Sequence, residues 1–271
     1  MNVQGKVAIV TGAGSGIGQA TAIELAERGV KAVGLVDRNE EVLRVARTIN
    51  DMAGNGIAEG LIGDVTDAEF RRKSFDLLQT KHGIVSICVP AAAINRDQLA
   101  VKIDKNTHQV MMYPVDAFRQ IAEVNLFAPV YWAMEMIARI AADRARRGLE
   151  KWQPSEGTQG AIVFIGSIST QGNPGQVAYA ATKAGLEGAA ATLSKEAMYH
   201  GVRSAVIHPG FTDTPMVRAL GDDFIAKNIL PHTQLKRLIQ PSEIADAIFF
   251  LISNSAVSGE LWADAGWHPS A

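Results

Sequence analysis

Short runs of aliphatic and β-branched residues alternate along the chain with longer stretches whose apolar positions recur every three or four residues. The runs predict strands at 6–11, 32–37, 57–63, 84–89, 161–166 and 202–208, and a short seventh at 261–263. The stretches between them predict helices at 16–28, 40–52, 68–81, 117–147, 177–200 and 241–253. Val7-Ala8-Ile9-Val10 is apolar without a break, as a strand covered on both faces is. In the helix that follows, Ile17, Ala20, Ile23 and Ala26 share a face, and Gly29 stands where a C-terminal glycine ends a helix. This alternation predicts an α/β fold, a doubly wound parallel sheet of about seven strands flanked by helices. Two segments break the rhythm. Residues 98–116 turn from polar to apolar and reach Pro114, as a hairpin does, and residues 211–240 are rich in loop formers.

Composition narrows the setting. The chain has 271 residues, 47% of them apolar, which suits one large domain. With 26 basic and 28 acidic residues the net charge is −2, too small a field to recruit nucleic acid or an anionic membrane surface. Cys88 is the only cysteine, which excludes an intramolecular disulfide and points to a reducing, cytoplasmic setting. The longest uncharged stretch, 157–182, is interrupted by Gly, Asn, Gln and Pro and does not read as a membrane span. Histidines at 82, 108, 200, 208, 232 and 268 form no metal-ligand spacing, so no metal site is expected.

The first strand turns into the first helix through Gly12-Ala13-Gly14-Ser15-Gly16-Ile17-Gly18. Glycines there let a ligand approach the backbone, and the helix start offers free N–H groups to an anion such as a diphosphate. Asp37 ends the second strand, 25 residues after Gly12. A carboxylate there accepts from a ribose 2′-hydroxyl and repels a 2′-phosphate, which favours NAD over NADP; the same residue also reads as a plain turn cap, and Arg38 beside it could accommodate the phosphate. Asp64-Val65 reads either as support for an adenine edge or as a turn.

Tyr179 and Lys183 are four residues apart on a helix and share a face, and Ser167 lies 12 residues before Tyr179, at the carboxyl end of the fifth strand. A phenol is a poor base near neutrality. A neighbouring ammonium and an oxidised nicotinamide together would have to supply roughly 4 kcal/mol to bring its pKa to about 7. Tyr179 would then exchange a proton with an alcohol or ketone oxygen while Ser167 holds that oxygen in line.

The ordered set Thr11-Gly12, Gly16, Gly18, Asp37, Asp64-Val65, Asn125, Ser167, Tyr179, Lys183 and Pro209-Gly210 resembles the short-chain dehydrogenase/reductase family over roughly residues 5–266. The resemblance implies a single Rossmann-type domain, with a cofactor part over about 1–125 and a catalytic part over about 126–271. It implies an NAD-dependent oxidoreductase interconverting a secondary alcohol and a ketone. Its roles would be Tyr179 as general acid/base, Lys183 on the nicotinamide ribose, Ser167 on the substrate, and Asn125 holding a relay water. Gly12, Gly14, Ser15, Gly16, Ile17, Gly18, Asp37, Asp64, Val65, Ala91, Pro209, Gly210, Thr212 and Thr214 would line the cofactor. It further implies a homodimer or homotetramer paired through the two long helices, whose Trp132, Met136, Ile140, Ala178, Ala181, Gly185 and Ala189 supply apolar and small surface.

The chain departs from the family pattern in four places. Pro90-Ala91-Ala92-Ala93 replaces an Asn-Asn-Ala-Gly motif. The serine–tyrosine spacing is one residue short, which keeps Ser169 in view as the catalytic hydroxyl. Thr212 replaces an aliphatic residue, and Asp264-Ala265-Gly266 replaces Asp-Gly-Gly. Additional stretches near 102–113 and 143–157 are similar to those of the 3-hydroxyacyl-CoA dehydrogenase type 2 branch, which implies a 3-hydroxyacyl or 3-oxoacyl thioester as the alternative substrate. A non-catalytic NAD-binding protein is the alternative of another class. The apolar residues Phe211, Met216, Val217, Leu220, Phe224 and Ile225 read as a substrate lid or as an ordinary packed helix.

Overall fold

The computed structural model describes residues 1–267, so His268 and the last residues of the expected catalytic part lie outside it. Seven strands form one parallel sheet: β1 (Val7–Thr11), β2 (Ala32–Asp37), β3 (Ala58–Ile62), β4 (Val85–Pro90), β7 (Gly160–Ile165), β8 (Val202–Pro209) and β9 (Gly259–Ala263), in the order β3-β2-β1-β4-β7-β8-β9. The order reverses between β1 and β4, and a crevice opens there at the carboxyl ends of the strands. This is the Rossmann-type sheet the alternation predicts.

The unbroken apolar strands are explained by their two-sided burial. Ala8 and Val10 pack on the layer of α1 (Gly16–Glu27), α2 (Glu41–Ala53) and α9 (Pro241–Ser253). Val7 and Ile9 pack on the opposite layer, formed by α3 (Ala68–His82), α5 (Ala128–Arg146) and α6 (Val177–Glu196). Trp132 anchors that second layer. It is fully buried, tilted against Phe75 at 5.7 Å, and its indole N–H donates to the Val65 carbonyl at 2.9 Å. A buried tryptophan of this kind is worth several kcal/mol, about 3–5 on truncation.

Several expectations need correction. The helix predicted at 117–147 is α4 (Val115–Ala122) and α5 joined by one π-helical turn, Glu123–Phe127. Of the residues assigned to a subunit contact, Trp132, Met136 and Ile140 pack in the layer against the sheet and Ala178 is buried, whereas Ala181 is exposed and Gly185 and Ala189 are half-buried. The predicted hairpin forms as β5 (Val101–Ile103) and β6 (Val110–Met112), paired antiparallel with every residue exposed. The loop-rich stretch contains α7 (Pro215–Arg218) and α8 (Asp222–Asn228). The last strand begins two residues before its predicted start, because Gly259 already pairs with Ala205.

Candidate active site

A cleft of about 780 Å³ follows the carboxyl edge of the sheet. Its floor is the glycine loop. Gly12 has φ +65°, and a Cβ there would lie 2.8 Å from the Ala92 backbone, so only glycine lets the loop lie against the β4 exit. The Thr11 hydroxyl accepts the Ala92 N–H at 3.1 Å, and the Asn125 amide accepts from Ile94 N and donates to Ile94 O, both at 2.8 Å. Side chains from β1 and the π-turn thus clamp the backbone of the segment where the expected amide and glycine are missing.

Asp37 stands at one end of the cleft. Its Oδ2 accepts from Gly14 N and its Oδ1 from Asn39 N, both at 3.0 Å. It caps its own turn and braces the glycine loop at once. Asp64 also caps its turn, accepting from the Thr66 N–H and hydroxyl at 2.8 and 2.7 Å.

At the other end lie Tyr179 and Lys183, one turn of α6 apart. The Ser167 side chain lies near enough to the Tyr179 phenol to favour its ionised form, and its Oγ accepts from Ser169 N at 3.0 Å. Ser169 turns away: its hydroxyl donates to Gln176 Oε1 at 2.8 Å, and Gln176 in turn donates to Asp97 at 3.0 Å. The shortened loop is absorbed by a 3-10 turn, Ile168–Gln171, so Ser167 keeps its place beside the phenol. Ser167→Ala is therefore expected to lower kcat by about 10²-fold and Ser169→Ala by less than roughly threefold, measured by steady-state kinetics.

The electrostatics differ from the simple sequence argument. Burial pushes the Tyr179 phenol up to about 12; the Ser167 hydrogen bond opposes this and the Asp97 carboxylate adds to it. Burial pushes Lys183 down to about 8, and its Nζ donates to Ile165 O at 2.8 Å, 5.5 Å from the centre of the tyrosine ring. Without ligand, the ammonium does not create a phenolate; the phenol is a protonated acid.

Of the expected cofactor residues, those of the glycine loop, Asp37, Asp64, Val65, Ala91, Tyr179, Lys183 and Thr214 line the cleft, while Pro209, Gly210 and Thr212 do not. The Thr212 hydroxyl donates to Gly210 O at 3.0 Å and holds that turn closed. Asn125 is wholly buried behind the cleft with its amide committed to Ile94. Sequence reasoning missed Asn39 beside Asp37 and Gln120 and Glu123 from the α4 end; Arg38 and Met216 also line the cleft, the first weighed only as a phosphate partner and the second only as a lid residue. Their signal was adjacency to a residue already chosen, or the lid pattern itself.

Cradle, phenol and lysine sit where a dinucleotide and a carbonyl could meet. Residues 6–224 match the profile of the short chain dehydrogenase family. The 3-oxoacyl-(acyl-carrier-protein) reductase FabG of Escherichia coli strain K12 is 36% identical over 264 residues, covering 96% of each chain, and that of Vibrio harveyi is 33% identical over 263 residues, with the same coverage. A short-chain type dehydrogenase/reductase from Mycobacterium marinum superposes with a TM-score of 0.83 at 23% identity, covering 99% of this chain and 98% of its own, which speaks for the fold. A family profile over most of the chain, relatives matched nearly end to end and this sheet topology together make the chain a member of the short-chain dehydrogenase/reductase family, and so an oxidoreductase.

Proposed function

We propose that the protein reduces the ketone of a 3-oxoacyl thioester to the 3-hydroxyacyl product with NADH. The observation that carries this substrate class is the end-to-end similarity to relatives named 3-oxoacyl-(acyl-carrier-protein) reductase. It takes precedence over the broader secondary alcohol/ketone expectation. The protonated phenol supports the reductive direction, since reduction needs an acid at the carbonyl oxygen.

The residues fit a nicotinamide dinucleotide. The glycine loop has no side chain between its backbone and the cleft at positions 12, 14, 16 and 18, and it opens the α1 N-terminus toward a diphosphate. Asp37 favours a free ribose over a phosphorylated one. Bound there, the coenzyme supplies the hydride. Ser167 and Tyr179 then hold the carbonyl oxygen, Tyr179 gives it the proton, and Lys183 orients the ribose. Asn125 acts by holding the Ile94 backbone with its side-chain amide rather than by reaching the substrate.

The test is NADH consumption with a 3-oxoacyl thioester and with a simple ketone. The thioester should be favoured in kcat/KM by at least about tenfold, the worth of a few methylene contacts. Equal rates would restore the broader reading. NADH binding without any turnover would point to the non-catalytic alternative. Fluorescence titration should show NADH binding tighter than NADPH, and Asp37→Ser should narrow the gap by about tenfold, the worth of one lost charge-assisted contact. Tighter NADPH binding by the wild type would overturn the Asp37 argument. A homo-oligomer is part of this reading. It is supported by Phe127, Tyr131 and Met134, which project from the π-turn and the outer face of α5 into solvent. Light scattering of the purified protein checks it. Among the described residues no helix is long and apolar enough to cross a membrane.

A further inference from the structure

Against the backbone of Ser167, His208 of β8 is completely buried and its Nε2 has no hydrogen-bond partner. Its ring is stacked on Trp262 at 4.2 Å, and its Nδ1 lies 3.3 Å from both the backbone N and the backbone O of Ser167. Nε2 faces two carboxylates brought by different elements: Glu260 Oε2 from β9 at 3.5 Å and Glu187 Oε1 from α6 at 3.7 Å. The three atoms lie within 4.8 Å of one another.

These spacings are too long for good hydrogen bonds. The two imidazole–carboxylate spacings are close to the edges of a coordination polyhedron, because metal–ligand bonds of about 2.0–2.1 Å at tetrahedral angles put the donor atoms roughly 3.4 Å apart; the two carboxylate oxygens, within 4.8 Å of each other, would draw in on an ion. Two carboxylates from separate elements and a buried imidazole nitrogen without a hydrogen-bond partner thus converge on one point. A cation there would bridge all three. The Ser167 carbonyl, 3.3 Å from Nδ1, is the kind of acceptor a ligating histidine uses on its other nitrogen, and the Ser167 N–H lies equally near. Both carboxylates are partly exposed, which leaves a route in from solvent.

We propose that Glu187, His208 and Glu260 bind a divalent transition-metal ion of the zinc class, with water completing the shell. One imidazole with two carboxylates suits zinc or cobalt(II) better than calcium or magnesium, which prefer oxygen throughout. The ion ties α6, β8 and β9 together and steadies the backbone that carries Ser167. It takes no part in the hydride step. The site stands whatever the substrate, and no linear motif marks it because its ligands come from three separated elements.

The test uses the full chain, stripped with a chelator and titrated with zinc and with cobalt(II). One equivalent should bind per chain, cobalt should give the intense visible bands of a tetrahedral site, and zinc should raise Tm. Glu187→Gln and Glu260→Gln change surface-reaching side chains and should fold. Each should weaken zinc by at least about tenfold, the lower end of what even an outer-shell partner is worth. Failure to saturate with zinc overturns the proposal. So does binding that both variants leave unchanged, or binding in which calcium competes as well as zinc.

Discussion

Tyr179→Phe is expected to lower kcat for ketone reduction by about 10²–10⁴-fold while leaving Tm and NADH affinity close to those of the wild type. The substitution removes one oxygen from a side chain whose ring stays packed beside Lys183. Ser167 remains to hold the carbonyl, but no acid remains beside it. The pH dependence separates this role from a merely structural one. The phenol, held near 12 by burial, stays protonated through the assay range, so it does not set the profile. Lys183 does, because burial brings it to about 8. Below that pH the ammonium is charged and can steady the negative charge left on the phenol oxygen; above it the charge is lost. The wild-type kcat/KM for reduction should therefore be level below about pH 8 and fall at higher pH, by at most about tenfold per unit. In Tyr179→Phe the rate should be low throughout. A variant rate within tenfold of wild type would remove Tyr179 from the chemistry.

That profile also shows where sequence reasoning ends. The i, i+4 spacing places Tyr179 and Lys183 on one face, and the position of Ser167 after an apolar strand places it at the carboxyl edge of the sheet; both are consequences of periodicity. The direction of a pKa shift depends on how much water each group loses and where its polar atom turns. Nothing in the spacing says that Nζ turns to the Ile165 carbonyl or that Asp97 lies near enough to oppose ionisation of the phenol.

The fold divides in the same way. Parallel strands buried on both faces are nearly uniformly apolar, so their number and order of appearance can be read directly. The π-turn adds a single residue to a continuous amphipathic pattern and hardly disturbs the period. One sign of it was present: Pro129 has no N–H to give the carbonyl four residues earlier, that of Asn125, so a regular α-helix could not pass there undisturbed. Likewise, a helix apolar on two sides does not reveal which side meets the sheet. Trp132 and Met136 turned inward, and Tyr131 and Met134 outward.

Gly18→Ala is the substitution expected to damage the cofactor cradle most. A Cβ at this position would lie 2.3 Å from the Gly12 carbonyl oxygen, 2.7 Å from its carbon and 3.0 Å from Thr11 O. All three are backbone atoms, Thr11 held by the pairing of β1 with β2 and β4 and Gly12 next to it in the chain, so no side chain can yield to the methyl group. Relief requires the first turn of α1 to move off the loop, and α1 is held from behind by the core it shares with α9. Overpacking of this kind costs about 1–3 kcal/mol. Displacing the helix start also withdraws the N–H groups that would meet the diphosphate, so NADH should bind at least roughly tenfold more weakly, a loss of about 1.4 kcal/mol or more. Gly14→Ala provides the contrast. Its Cβ would meet Asp37 Oδ2 at 3.0 Å, a carboxylate with some freedom to turn, so it should lose coenzyme affinity with little loss of Tm. Thermal unfolding and NADH titration on the two variants check both statements. An unchanged Tm together with unchanged NADH affinity in Gly18→Ala would mean that helix and loop are not in the close contact on which the cradle depends.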